Sequence, residues 1–302
     1  MKRDSKQIIA QLNQEGLSFK AFSLNHEGEY HPDDADWNYK DVPHLHHIHE
    51  LVEAVPALVE DHIISSINMQ KVFFLHLPLC VVNYEHSRHR QVYFTTLLFF
   101  ALVIETSFES VSESRTRVTT TYNIGAKAWL LYISFPLIKW LLKRNYDNLM
   151  SGDIPMRLRK GQLRAWGYTF SKSGDTYSFK DTMNTMKPNL TLPVSIPKPK
   201  AISVNINTDL IDGQQILWGR ADHNGLRIHR SGDDLRFMPR ICPHEGASLD
   251  ESNCDDGKAK CPWHGRAFKP IAIIRISSGD QKIETERQTI YLISGTLTVE
   301  MK

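Results

Sequence analysis

Two short stretches near the C-terminus carry residue types that bind metals: CPHEGASL at 242–249 and CPWHGRAF at 261–268. Cys242 and His244 lie two apart, Cys261 and His264 three apart, and sixteen residues separate the two pairs, giving C-x-H-x16-C-x2-H. The set offers two soft thiolates and two imidazoles. Zinc accepts Cys2His2 as a closed tetrahedral site, but a zinc finger presents its cysteines together and its histidines together. Here each loop supplies one of each. That suits a two-iron cluster with unlike irons, one held by both thiolates and the other by both imidazoles, clamped between two loop tips. Neutral imidazoles in place of two thiolates make such a cluster less negative and easier to reduce, with potentials from about −150 to +300 mV rather than about −400 mV.

With their prolines, the glycine after each box and the aromatic Phe268, the two boxes closely resemble those of the Rieske [2Fe–2S] family, over roughly residues 200–302. The resemblance implies that Cys242, His244, Cys261 and His264 hold the cluster. Members of respiratory bc complexes carry two further cysteines joined as a disulfide. The matching positions here are Ala247 and Trp263, so the domain is similar to the oxygenase or ferredoxin branch. Cys254, between the boxes, and Cys80, in an apolar run, read as unpaired thiols rather than ligands.

In the ring-hydroxylating oxygenases of this family, electrons pass to a mononuclear iron held by two histidines and a carboxylate, with positions open for oxygen. The family writes the histidines as D-x2-H-x4-H and takes the carboxylate from its last long helix. From Asp36 this chain reads DWNYKDVPHLHHIHELVEAV, so Asp41, His44 and His49 fall on that spacing. Asp147, in WLLKRNYDNLM, falls where the carboxylate is expected. The resemblance implies iron(II) on His44, His49 and Asp147. It casts Asp41 as the carboxylate that orients a ligand histidine and gives the electron a polar path between metals. The chain departs from the family in placing the Rieske domain last, in lacking the upstream acidic-Asn pair, and in the short span from His49 to Asp147.

The histidines also have a plainer reading. Four of them, His44, His46, His47 and His49, occupy six positions, so some spacing match is assured. A strand here would turn His44 and His49 to opposite faces. Leu45, Ile48, Val52 and Val55 recur at 3, 4 and 3, which favours a helix capped by Asp41 with Pro43 in its first turn. Residues five apart diverge on a regular helix, so shared ligation needs a bend. Solvated or capping histidines are the alternative.

The elements that must position these groups fall into two textures. Before residue 187, strand-like runs such as QVYFTTLLFFALVI and an apparent hairpin, ESVSESRTRVTTTYNI with SESR at its tip, precede a long helical stretch over about 127–164. This order is α+β, a sheet wrapped round a helix. Residues 17–170 resemble START-like helix-grip domains, which enclose an apolar cavity, with Phe73, Leu75, Tyr93, Phe99, Trp129 and Trp140 as candidate walls. After four prolines in KPNLTLPVSIPKPK, short alternating segments separated by turn residues mark a small all-β domain. The boundaries expected are 1–186, a linker at 187–200, and 201–302. Arg157, Arg159, Lys160 and Arg164, in MRLRKGQLR, read as a solvated face or as a docking surface for an electron donor or an anionic membrane.

Bulk composition narrows the class. The 302 residues are 41% apolar and 23% charged, the balance of a packed soluble protein. A net charge of +2 and the absence of basic tracts beside stacking aromatics argue against nucleic acid. The N-terminus has no apolar run of a secretory signal, and four cysteines make no disulfide framework, so a cytoplasmic setting is expected. The run at 92–104 is 13 residues, too short to span a bilayer, and reads as a buried strand pair. The 15 residues AWLLYISFPLIKWLL, broken by Pro136 and Lys139, read as a buried helix or one touching a membrane surface. Together these features point to an oxygen-using Rieske oxidoreductase with an apolar substrate and a reductase or ferredoxin as electron donor. The alternative is an electron-transfer or redox-sensing protein that binds a hydrophobic ligand and has no catalytic iron. A homo-oligomer and a peripheral membrane contact stay open.

Overall fold

The computed structural model describes residues 4–49, 52–72, 75–170, 177–193, 200–219, 225–252 and 257–302. Phe73, Cys254 and the middle of the proline-rich segment, 194–199, lie outside them, as does the Leu75 side chain. The chain divides into two compact units, Met1–Trp166 with Ser171–Thr185, and Gly167–Phe170 with Met186–Lys302. The short strand Thr169–Phe170 pairs with Leu190–Thr191 and so belongs to the second unit.

In the first unit seven strands form one antiparallel sheet: β1 (Ser18–Gly28), β2 (Val52–Val59), β3 (Ile63–Val72), β4 (Leu75–Ser87), β5 (Arg90–Leu97), β6 (Phe100–Ser112) and β7 (Arg115–Ala126). Their order is β1-β7-β6-β5-β4-β3-β2, a meander that closes β1 onto β7. Along β7 buried positions alternate with exposed or half-buried ones over most of its length. The expected hairpins form, with Leu98–Phe99 turning β5 into β6 and Glu113–Ser114 turning β6 into β7. Helices α1 (Ser5–Gln14), α2 (Pro32–Lys40) and α3 (Leu45–Ile48) precede α4 (Ala128–Ala165), and α5 (Phe179–Met183) follows it.

The 38-residue α4 packs on β1 and β7. Phe100, Leu102, Ile124 and Ala126 of the sheet meet Leu131 and Ile138 of the helix. Tyr122 meets Tyr146 and Met150 further along it. This is a helix-grip α+β unit. Pro136 and Pro155 do not break α4. Each removes one N–H bond, to Tyr132 and Ser151, and both of those residues are exposed, where water can satisfy their carbonyls.

The basic stretch at the end of α4 is not a solvated face. Arg157 and Lys160 are fully buried, and Lys160 Nζ lies 3.8 Å over the Trp37 ring. Arg164 binds both carboxylate oxygens of Asp34 at 2.8 Å. Arg159, against Gln162 and the Trp166 ring, is half-buried, as is Arg164. These cations lock α2 to α4. Lys40, at the other end of α2, bonds Asp36 at 2.7 Å, Glu85 at 3.2 Å and the Tyr177 carbonyl at 2.7 Å. Buried charges of this kind persist only when paired.

The loop that leads into α2 also meets α4 sterically. A Cβ on Gly161 would lie 2.1 Å from the Glu29 carbonyl oxygen. Gly161→Ala gains about 1 kcal/mol of helix propensity but forces apart two backbones, an overpacking cost of about 1–3 kcal/mol. The variant is expected to melt lower than the parent in calorimetry. An unchanged or raised midpoint would mean that α4 shifts freely.

The second unit is all-β. One four-stranded sheet has the order Ile202–Asn205, Thr296–Met301, Gln288–Ile293, Gln281–Glu284, and another the order Gln215–Trp218, Leu226–Ser231, Asp234–Pro239, Ala272–Arg275. Their inner faces share a core that includes Leu210, Ile228, Phe237, Ile274 and Leu297. Trp218 closes one end, its indole N–H donating to the Lys200 carbonyl at 2.7 Å. No helix among the described residues is long and apolar enough to cross a membrane.

Candidate functional site

In the second unit the two Cys-Pro boxes adopt the same loop. The Cys242 N–H donates to the Ala247 carbonyl (2.9 Å), and the Cys242 carbonyl accepts from the Gly246 N–H (3.0 Å). The second loop repeats this with Cys261 N–H to Arg266 (2.7 Å) and Gly265 N–H to Cys261 (2.8 Å). Gly246 and Gly265 take φ of 84° and 66°, the left-handed region that closes each loop and that a side chain would strain. Arg240 clamps both oxygens of Asp250 at 2.7 Å across the base of the first loop. The Asn189 N–H reaches the Pro243 carbonyl at 3.0 Å, and its side-chain amide donates to Glu245 at 2.6 Å.

These loops bring the four side chains together. Cys242, His244, Cys261 and His264 are all buried, and the two imidazoles stand 4.8 Å apart between ring centroids. The Cys242 and Cys261 thiols are in hydrogen-bond contact. Accepting from Cys242 lowers Cys261 to about 5, and the same contact pushes Cys242 up. One thiolate therefore forms easily and the second does not unless a cation is present. Thiol beside thiol and imidazole beside imidazole fit a cluster with two unlike irons.

The first unit holds a second group. His44, His49 and Asp153 are buried, with ligand atoms all within 4.8 Å of one another. Oδ1 of Asp153 lies 3.1 Å from His44 Nε2 and 3.0 Å from His49 Nε2. The histidines converge because the chain does not form the expected helix through Val55. A 3-10 turn, Val42–His44, leads into α3, which lasts one turn. His49 already has extended geometry (φ −112°, ψ 110°) before β2 begins. The bend that shared ligation requires is thus built in. Gly152 lets α4 approach, since a Cβ there would meet Ile48 at 2.4 Å and His49 at 2.9 Å.

Two expected roles are not met as read. Asp147 is exposed on α4, and Asp153, six residues on, stands beside the histidines. On a 3.6-residue helix those positions face different ways. The signal was in the stripe Ile138, Leu142, Tyr146, Met150, which Asp153 continues and Asp147 does not. Asp41 makes no side-chain cap bond to the turn that follows it. Its carboxylate lies buried 3.6 Å from His44 Nδ1. His46 and His47 meet edge to face outside the group.

A buried polar network surrounds Asp153. Arg157 donates to Oδ2 at 3.3 Å and to Asn38 Oδ1 at 2.6 Å, and Asn38 donates back to Oδ1 of Asp153 at 3.4 Å. Burial alone would raise the Asp153 carboxyl, but bonds from His44 and His49 and the Arg157 charge hold it well below the usual range. Burial alone would lower His44, yet Asp153 and Asp41 raise it to about 9.

Arg157 also donates to Nε2 of His26 (2.8 Å), so that nitrogen accepts, and the ring proton sits on Nδ1, 2.6 Å from Tyr146 Oη. The Tyr146 oxygen then receives a proton donor from behind, and its own O–H is left to donate elsewhere. Burial and the Arg157 charge lower His26 to about 4. Between its ordinary value of about 6.5 and that value, the unfolded chain takes up a proton that the folded chain refuses. Stability from this group is complete above that window and falls as pH falls through it. His26→Gln, which still accepts from Arg157, is expected to flatten the drop in melting temperature between neutral and mildly acidic pH. An unchanged profile would reject the assignment.

His44, Asp153 and Tyr146 form part of the wall of a cavity of about 580 Å3, within the size range of small-molecule sites. Most of the rest is apolar, including Leu79, Val81, Leu97, Leu102, Ile104 and Leu142. Of the expected walls Tyr93 lines it, whereas Phe99, Trp129 and Trp140 are 77%, 68% and 49% exposed.

Residues 206–280 match the family model of the Rieske [2Fe–2S] domain, which implies a [2Fe–2S] cluster and an electron-transfer role for the second unit. No curated protein matches the chain. Among solved structures, TTHA0849 of Thermus thermophilus is similar at 14% identity over 48% of this chain and 99% of its own, with a TM-score of 0.39. Zhui aromatase/cyclase of Streptomyces sp. R1128 is similar at 13% identity over 50% of this chain and 99% of its own, with a TM-score of 0.43. For norcoclaurine synthase of Thalictrum flavum the values are 12%, 51%, 91% and 0.37.

Proposed function

We propose that this protein is a Rieske-type oxidoreductase that uses oxygen on an apolar small molecule held in the cavity of the first unit. Cys242, His244, Cys261 and His264 are the proposed ligands of the [2Fe–2S] cluster, which supplies electrons one at a time when bound. His44, His49 and Asp153 are the proposed ligands of a mononuclear iron(II), whose chemistry when bound is the activation of oxygen at open coordination positions. The observation that carries this reading is the convergence of three buried metal-ligating side chains beside an apolar cavity of about 580 Å3.

The neighbouring residues have definite tasks. Asp41 sets a carboxylate 3.6 Å from His44 Nδ1, a charge that favours the proton on that nitrogen and leaves Nε2 toward Asp153. Arg157 occupies Oδ2 of Asp153 and leaves Oδ1 toward the histidines. The apolar walls exclude water, and Tyr146 offers a proton at Oη with His26 Nδ1–H behind it. A reductase or ferredoxin is the proposed electron donor. A cytoplasmic setting suits the exposed, free thiol of Cys80.

A second reading has support of its own. Asp153 is engaged by His44, His49, Asn38 and Arg157 without any metal. That suits an electron-transfer or redox-sensing protein whose first unit binds a ligand and has no catalytic iron. Iron and acid-labile sulfide in anaerobically purified protein separate the two. Three irons and two sulfides per chain are expected, with oxygen uptake on adding a reductant. Two irons and two sulfides would leave the electron-transfer reading in place.

A further inference from the structure

The first half of α4 is apolar on two sides, and only one of them is covered. Its inner face, with Leu131 and Ile138, packs on the sheet. Its outer face presents Trp129, Tyr132, Ile133, Leu137 and Trp140, exposed by 68%, 76%, 71%, 56% and 49%. Steps of 3, 1, 4 and 3 put these five on one helical stripe, about 16 Å long at 1.5 Å per residue. The β5–β6 tip adds Leu98 and Phe99, 75% and 77% exposed. The residues flanking that tip, Leu97 and Phe100, pack in the same cluster as Leu131 and Phe135, so the tip stands beside the helix. A stripe of exposed apolar side chains of this kind on a folded chain marks an interaction surface.

The charges around it are mainly basic. From 127 to 146 the chain has Lys127, Lys139, Lys143 and Arg144 and no acidic residue, and the exposed Asp147 follows at the far end of the stripe. Lys20, from β1, reaches over the Tyr132 ring at 4.9 Å, and Arg144 lies 5.7 Å from the Trp140 ring. We propose that this face docks on a lipid bilayer with anionic headgroups, its aromatic and aliphatic side chains entering the interface and its lysines and Arg144 meeting lipid phosphates. Tryptophan and tyrosine are the side chains suited to that boundary, and basic residues around an apolar face are what anionic lipid attracts. A second copy of this chain fits the face less well, because a symmetric pair would set one basic rim against another. Leu141, Leu142 and Arg144, on the next turn of the same helix, line the cavity, so docking brings the cavity wall to the bilayer, where apolar ligands reside. This proposal does not depend on the mononuclear iron.

Flotation of the full chain with vesicles tests it. Vesicles of equal phosphatidylcholine and phosphatidylglycerol are expected to carry the protein at low salt, with a blue shift in tryptophan emission. Phosphatidylcholine alone should carry far less, and high salt should weaken the anionic case. Ile133→Glu with Trp140→Glu should abolish flotation while the visible spectrum and melting temperature stay at parent values. Lys139→Glu with Lys143→Glu should weaken it several-fold and leave the fold intact. Absence of flotation with the parent protein would overturn the proposal. So would a dimer in light scattering that Ile133→Glu converts to monomer, since the face would then join two copies.

Discussion

Asp153→Asn protein, purified anaerobically, is expected to contain one iron fewer per chain than the parent and to consume no oxygen, while keeping the two irons, two sulfides and EPR signal of the Rieske cluster. Asp153 Oδ1 is the atom that both Nε2 atoms approach, at 3.1 and 3.0 Å. Two imidazoles alone leave a divalent iron without an anionic ligand in a buried site. Asparagine is the informative replacement because it keeps the shape and can still accept from Arg157. Alanine would also remove the acceptor that Arg157 meets at Oδ2 and leave a hole beside the histidines, confounding loss of the ligand with loss of packing. His44→Ala and His49→Ala should lose the same single iron. Asp147→Ala should keep everything, because that side chain points to solvent, and His46→Ala and His47→Ala should match the parent. Full iron in Asp153→Asn, or equal loss in Asp147→Ala, would sink the assignment of the ligand set.

Loss of colour is the second large effect expected. The parent should be red-brown with two acid-labile sulfides per chain, a reduced-state EPR signal of low average g, and a potential within about −150 to +300 mV. His264→Ala, His244→Ala, Cys242→Ser or Cys261→Ser should each abolish all of these. The four side chains share one buried pocket, and removing one leaves an iron underligated with no other thiol or imidazole of the boxes to replace it. Cys80→Ser, at an exposed position on β4, should leave the spectrum untouched. A colourless parent containing zinc would falsify the cluster reading.

Much of this was legible in the chain itself, where the determining interactions are local. C-x-H-x16-C-x2-H named four side chains, and tight hairpin loops close each half within about five residues, so spacing alone nearly fixes their geometry. The β5–β6 and β6–β7 hairpins and the long α4 followed from an aromatic and β-branched run, a polar SESR tip and a long helical stretch, all of them local signals. What only the tertiary structure decided depends on the phase and partners of distant elements. Asp147 and Asp153 are chemically identical on one helix, and the sheet's choice of helix face put Asp153 among the histidines. The pairing of β2 with β3 drew Val52 and Val55 out of the expected helix, cut α3 to one turn and so let His44 and His49 converge. Arg157 and Lys160 look like surface cations in a linear reading. They are interior because Asp153 and Asn38 for the one, and the Trp37 and Tyr177 rings for the other, arrive from elsewhere in the chain to receive them. Trp129 and Trp140 look like core, yet they face outward, because the sheet covers only one side of α4 and the side it covers is the one bearing Leu131 and Ile138.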